Sequence, residues 1–256
     1  MRKDLVRFFG KCCLLGLPVL LFAAIYLIGD PFRVLYRYEF GDYYGEVPYS
    51  LDWDYVSTEM LLSRYQKTPY DAFIFGSSRS FTYHCSNWIK HIPGAKPFHY
   101  PAASETLYGV YTKVKLIDRI GLKMRHALLV LDSFTLGGVT PPSDHTHIVH
   151  PTASGGSWWE FHLVFLKAAL QKFFIVKYAD YSLFGQLRPY MLDIFQDTKK
   201  KARVDPSTNE YHFDGDEREL ATDADRYYRE RAQYFPKREK KVDPSVIGEL
   251  NRQYLE

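Results

Sequence analysis

The sequence predicts an α/β fold, with three layers around a parallel sheet, preceded by one transmembrane helix. Two runs of apolar residues, a mostly apolar one at 71–75 and a continuous one at 127–131, are typical of strands covered on both faces. Between them, apolar residues recur every three or four positions, which indicates a helix with one apolar face. This order of strand, helix and strand is typical of right-handed crossovers in a parallel sheet. The third observation is an uncharged stretch at 12–29.

Residues 1–30 are predicted to form an N-terminal membrane anchor. The first eleven carry four basic residues and one acidic residue. The uncharged stretch at 12–29 would span about 27 Å as a helix, close to the thickness of the bilayer core. A cleaved signal peptide is the alternative, but its apolar region is usually shorter and no clear cleavage signal precedes Asp30. The basic flank predicts a cytoplasmic N-terminus and an extracytoplasmic remainder.

Charge and cysteine content exclude two classes of protein. The net charge of +3 arises entirely within the first eleven residues, and the remainder carries equal numbers of basic and acidic residues. Nothing there indicates a nucleic-acid partner. Of three cysteines, only Cys85 lies outside 12–29, so no disulfide framework is expected and Cys85 is predicted to be a buried thiol.

The remaining elements follow in chain order. Residues 31–69 are predicted as a connector with a short helix at 55–65, and 70–256 as the α/β domain. Its strands are expected at 71–75, 97–100 and 127–131. Ser104 is expected to cap the helix before Gly121. A long apolar helix at 158–178 is expected to be buried, with a membrane surface or a partner as alternatives. A polar insertion covers about 190–242, and a last helix is predicted at 245–255 after Asp243-Pro244.

Three chemistry-bearing segments follow the predicted strands. They are Gly76-Ser77-Ser78-Arg79, Pro101-Ala102-Ala103-Ser104 and Asp132-Ser133-Phe134. Ligands of open α/β sheets bind at the carboxyl ends of strands. The glycine allows a sharp turn, and the amides after it are free to bind an anion. Ser78 is therefore a candidate nucleophile. Arg79 is expected to pair with an anionic substrate group or with an acidic side chain.

These segments resemble the SGNH/GDSL hydrolase and acyltransferase superfamily, whose sheet is flavodoxin-like. The resemblance is closest to membrane-anchored bacterial envelope proteins, similar to those of teichoic-acid D-alanylation and exopolysaccharide O-acetylation. It implies an esterase or O-acyltransferase at the bacterial cytoplasmic membrane, acting on an envelope glycan or polymer without a cofactor. Ser78 would be the nucleophile. Oxyanion or substrate contacts would come from Gly76, Ser77, Arg79, Ala103, Ser104 and Asp132.

The sequence departs from the family pattern in three places. The second segment has no glycine, although the amide of Ala103 or Ser104 would still serve as a donor. Asp132 replaces an asparagine donor, and because a carboxylate repels an oxyanion, Asp132 is expected to organise the turn instead. No Asp-x-x-His follows Ser245, so the final strand and the loop that carries the base are predicted to be missing.

Asp144 and His147 form an Asp-x-x-His segment, out of family order, and are the candidate catalytic pair. Local hydrogen bonding within the loop is the alternative. His145, His147 and His150 do not have the spacing of a tetrahedral metal site, and no metal is predicted. Three hypotheses stay open: an enzyme, a non-catalytic envelope binding or assembly protein on the same scaffold, and an incomplete product of an enzyme gene. A histidine within reach of Ser78 would favour the first.

Overall fold

The computed structural model describes residues 2–43, 47–138, 140–196 and 202–231. The strands are β1 (Ala72–Gly76), β2 (Pro97–Pro101), β3 (His126–Val130), β4 (Arg203–Val204) and β5 (Tyr211–His212). The helices are α1 (Arg2–Gly29), α2 (Phe40–Tyr43), α3 (Trp53–Arg64), α4 (Cys85–Trp88), α5 (Leu107–Arg119), α6 (Ser133–Gly137), α7 (Pro151–Ser154), α8 (Trp158–Leu170), α9 (Phe174–Phe184), α10 (Asp214–Thr222) and α11 (Ala224–Arg231). Three 3-10 turns lie at Ser78–Thr82, Gln171–Phe173 and Pro189–Met191.

The prediction of a parallel α/β sheet is confirmed. Three strands pair in the order β2-β1-β3, with Ala72 opposite both Pro97 and His126. All residues of β1 and β2 are buried. Cover on both faces explains the apolar run of β1, whereas β2 also places His99 in the interior. In β3, half-buried and exposed residues alternate, so the prediction that its apolar run is covered on both faces was wrong. The carboxyl ends of the three strands meet at one edge of the sheet because they run in the same direction.

The two faces of the sheet contact different parts of the chain. Four aromatic side chains on one face belong to the main core together with residues of α3, α5 and α8: Phe73, Phe75, Phe98 and Tyr100. On the other face, His99 contacts the ring of Phe81 in the first 3-10 turn and the ring of Tyr211 in β5. The β4–β5 hairpin therefore covers the second face, where only a polar insertion was predicted.

The predicted transmembrane helix is not supported. In the described ranges, no helix combines the length and the apolar character needed to cross a bilayer. The last turns of α1 instead contact protein. Tyr26 is buried in the main core, and the Tyr178 hydroxyl donates to the Gly29 carbonyl at 2.7 Å. The predicted connector also contributes buried side chains to this core, among them Phe32 and Leu51.

Two other expectations were wrong in detail. Thr106, not Ser104, caps α5: its Oγ1 accepts a hydrogen bond from the Gly109 amide at 3.0 Å. The helix predicted at 158–178 is divided into α8 and α9, because Lys172 and Phe173 adopt left-handed backbone conformations. Gly121 follows α5 at a φ of +78°, as expected for a helix stop. The predicted helix at 245–255 lies outside the described residues.

Candidate functional site

The turn after β1 exposes Ser78 and buries its neighbours. Ser77 is buried and caps the 3-10 turn, with its Oγ accepting a hydrogen bond from the Arg79 amide at 3.4 Å. Ser78 is the first residue of that turn and is exposed to solvent. Because β1 is the central strand, the Ser78 hydroxyl lies at the middle of the carboxyl edge of the sheet, as the sequence predicted.

Gly76 makes this turn possible through close packing. A Cβ at this position would lie 2.9 Å from the Cβ of Val130 and 3.0 Å from its carbonyl oxygen. Backbone of the neighbouring strand cannot move away as a flexible side chain would. The sharp turn to Ser78 therefore requires glycine at position 76.

Gly76→Ala should lower the free energy of unfolding by about 1–3 kcal/mol, the usual cost of overpacking a buried site. Urea unfolding followed by circular dichroism measures the change. Gly137→Ala is the matched control, because no atom lies within 4 Å of the Cβ that it would add. Equal stability of the two variants would contradict the close approach of β1 and β3.

Asp132 organises the strand ends, as expected from the sequence. Its Oδ2 accepts from the Ser77 hydroxyl at 2.8 Å, and its Oδ1 accepts from the Thr135 amide at 2.9 Å. The Arg79 guanidinium lies 3.6 Å from Oδ2 while remaining 54% exposed. Of the two partners expected for Arg79, a substrate anion or an acidic side chain, the structure shows the acidic side chain. The exposed part of Arg79 can still reach an anionic ligand.

The turn after β2 offers two backbone donors beside β1. The Ala102 amide donates to the Gly76 carbonyl at 3.2 Å and so fixes this turn against the first. Within the described ranges, the amides of Ala103 and Ser104 donate no hydrogen bond. Ser104 is exposed, with a φ of +48°. The amides of Ala103 and Ser104 are the two that the sequence analysis named as oxyanion donors.

A buried ionic cluster holds the second turn in place. Lys113, fully buried on α5, pairs with Glu105 and, at 3.1 Å, with Asp54. Burial alone would lower the pKa of Lys113, but Asp54 and Glu105 outweigh it and raise that pKa. Glu105 directly follows Ser104, so this ion pair anchors the donor turn to α3 and α5. The sequence analysis did not identify this cluster.

Asp144 and His147 do come together, as the sequence predicted. His147 Nδ1 lies 2.7 Å from Asp144 Oδ1. Partial burial would raise the pKa of Asp144, but hydrogen bonds from Thr146 and His147 lower it overall. Asp144 therefore carries its charge readily and orients the imidazole through Nδ1. A catalytic Asp–His pair uses this contact, and the same contact, with the Thr146 bonds, equally fits the local hydrogen bonding that was the alternative.

No histidine of the described chain forms a hydrogen bond with Ser78, although all nine lie in the described ranges. The three loop histidines have separate surroundings: His145 packs against Phe32, His147 bonds Asp144, and His150 bonds Glu59. They do not converge on a metal position. The Asp144–His147 pair is formed, but its connection to Ser78 is not.

A different serine–histidine pair lies inside the protein. His99 Nε2 lies 2.9 Å from Ser80 Oγ, and both residues are fully buried. The Ser80 hydroxyl donates to the Ser77 carbonyl at 2.8 Å, so Nε2 must carry the proton shared with Ser80. Burial, with Lys113 and His84 adding to it, lowers the pKa of His99 to about 3. The pair is shielded from substrate and is structural.

Three further features lie outside the residues that were predicted to form the site. Cys85 is buried, as expected, and burial raises its pKa, which leaves a protonated thiol. A cavity of about 580 Å³ contains no predicted site residue. Three of its tyrosine hydroxyls donate to the end of α1 and the residues after it: Tyr38 to Asp30, Tyr49 to the Pro31 carbonyl and Tyr178 to the Gly29 carbonyl. Finally, His84, His212 and Glu217 converge although 128 residues separate the two histidines.

Comparison with known proteins adds no assignment to this geometry. The chain matches no protein-family model, no curated protein and no solved structure.

Proposed function

We propose that the chain is an SGNH/GDSL-like esterase or O-acyltransferase in which Ser78 is the nucleophile. The observation that carries the proposal is the exposed Ser78 hydroxyl at the carboxyl end of the central strand. The strand order β2-β1-β3 supports a flavodoxin-like sheet, in which ligands bind at this edge. The bacterial envelope location and the glycan or polymer substrate rest on the family resemblance.

The surrounding groups support acyl chemistry. Attack by Ser78 Oγ on an ester would form an Oγ–carbon bond and move the carbonyl electrons onto oxygen. The amides of Ala103 and Ser104 would then donate to this oxyanion, the interaction that contributes most in many such sites. The Asp132 carboxylate is occupied by Ser77, Thr135 and Arg79, which reduces its repulsion of developing negative charge.

Proton transfer is the step for which the Asp144–His147 pair is proposed. The Oγ proton would pass to His147 Nε2, since Nδ1 is held by Asp144, and from there to the departing alcohol. Water or an acceptor hydroxyl would then take the acyl group from Ser78. This step requires the 144–147 loop to approach the β1 turn more closely than in this structure.

Ser78→Ala should abolish labelling of the full chain by a fluorophosphonate, because the probe phosphonylates an activated serine hydroxyl. Labelling is measured by intact-protein mass spectrometry. Ser143→Ala removes another exposed hydroxyl and should label like the wild type. His147→Ala should label at least 10-fold more slowly, since a general base contributes about 10²–10⁴ in rate. Labelling that persists in Ser78→Ala would exclude this nucleophile.

A binding or assembly protein on the same scaffold is the second candidate. The observation that favours it is the lack of a hydrogen bond between Ser78 and any described histidine. A serine without a base is a weak nucleophile at neutral pH. A wild-type protein that folds but does not react with the fluorophosphonate would favour this candidate over the enzyme.

A further inference from the structure

We propose that His84, His212 and Glu217 form a three-ligand site for a divalent transition metal, with Zn²⁺ as the best fit. One ligand atom from each residue lies within 4.8 Å of the others. The proposal is independent of Ser78 and of any acyl chemistry. It assigns a binding function to a cluster that lies between the start of α4 and the segment from β5 to α10.

The ligand atoms lie close enough that a contraction of the cluster would let them hold a metal ion. His84 Nε2 lies 3.6 Å from Glu217 Oε1, and His212 Nδ1 lies 3.9 Å from Glu217 Oε2. In a tetrahedral zinc site with bonds of about 2.0–2.1 Å, ligand atoms are about 3.3 Å apart. The two imidazole rings already approach to 4.7 Å between centroids. Two imidazoles and one carboxylate are therefore arranged around a common point.

A buried carboxylate orients one of the ligands. His212 Nε2 lies 2.8 Å from Glu210 Oε1, and Glu210 is 3% exposed. A proton held on Nε2 by Glu210 leaves Nδ1 with a free lone pair on the side of the cluster. Metal-binding histidines typically donate their other ring nitrogen to such a carboxylate. The Glu210 Oε2 accepts from the Ser86 amide at 3.0 Å, so Glu210 is fixed in turn.

The other two ligands are also positioned by local structure. His84 directly precedes α4. Glu217 lies in the first turn of α10, and its Oε1 accepts from the Phe213 amide at 2.7 Å. The segments that carry His84 and His212 are joined by the Phe81 and Tyr211 rings, which stack at 4.1 Å. The ligands thus come from a packed junction and not from one flexible loop.

Donor chemistry and exposure favour a transition metal with an open position. Two nitrogen donors and one carboxylate suit Zn²⁺, whereas Mg²⁺ prefers oxygen ligands alone. The side chains of His212 and Glu217 are 15% and 39% exposed, so the cluster is accessible from solvent. Three protein ligands leave the fourth tetrahedral position to a water molecule. The ion would fasten the β5–α10 segment to the start of α4.

The test is calorimetric titration of the chelator-treated full chain with Zn²⁺ and, separately, with Mg²⁺. One equivalent of Zn²⁺ should bind and raise the melting temperature, and Mg²⁺ should do neither. Glu210→Gln should weaken Zn²⁺ binding about 10–100-fold, because this residue only orients His212. Failure of the wild type to bind Zn²⁺, or equal binding of Mg²⁺, would overturn the proposal.

Ligand variants locate the ion. His84→Gln and Glu217→Gln should each weaken Zn²⁺ binding at least about 100-fold, more than loss of an orienting residue does. His91→Gln, a change at an exposed histidine, should bind Zn²⁺ as the wild type does. Circular dichroism shows which of the two ligand variants fold. His84 and Glu217 lie on different segments, so one folded variant is enough for the test. Unchanged affinity in a folded ligand variant would place the ion elsewhere.

Discussion

Replacing Lys113 with methionine should lower the free energy of unfolding by about 3–5 kcal/mol, the usual cost of removing one partner from a buried ion pair. Methionine keeps most of the side-chain volume, so the loss measures charge and not a cavity. The carboxylates of Asp54 and Glu105 would remain buried beside each other without a cation. Urea unfolding at neutral pH measures the change.

Lys115→Met is the matched control because Lys115 is an exposed lysine on the same helix. It should change stability by no more than about 0.5 kcal/mol. The double variant Lys113→Met with Glu105→Gln should be more stable than Lys113→Met alone, since one uncompensated carboxylate is removed as well. A loss below about 1 kcal/mol in Lys113→Met would show that the cluster does not hold the donor turn as described.

The sheet could be predicted from sequence because its signal is local. Strands β1 and β3 were predicted from runs of apolar residues that lie within one residue of their observed bounds. The division between α8 and α9 could not be predicted in this way. Lys172 and Phe173 adopt positive φ values that are unusual for such residues, so tertiary packing and not local preference ends α8.

The candidate site was predictable in part for the same reason. Ser78 and Asp132 follow strands, and parallel strands bring their carboxyl ends together. Lys113 carried a weaker signal: it lies three residues after Val110 and four before Ile117, on the apolar face of α5. A lysine at that position requires a buried partner. The contact between His84 and His212 could not be predicted, because the two residues are far apart in sequence. The β4–β5 hairpin, which brings His212 to His84, was not predicted either.

The second large effect is expected from pH, through His99. The pKa of His99 is lowered to about 3 in the folded protein, against an ordinary value of 6.5, chiefly by burial. The unfolded chain therefore binds the proton first as the pH falls. The contribution of neutral His99 to stability is fully present above pH 6.5 and is lost progressively down to about pH 3. At about 1.4 kcal/mol for each pKa unit, the full shift corresponds to a loss on the order of 5 kcal/mol.

His99→Gln isolates this contribution from the carboxyl groups that titrate in the same range. Glutamine does not titrate, and its amide can donate to Ser80 Oγ in place of Nε2. Unfolding free energies measured from pH 7 to pH 4 should fall less steeply in His99→Gln than in the wild type, whereas exposed His91→Gln should follow the wild type. Identical pH dependence in all three proteins would mean that His99 gains its proton in the folded protein between pH 7 and pH 4, as it does in the unfolded chain. The interior Ser80–His99 pair would then carry a charge, and its assignment as a neutral structural contact would fail.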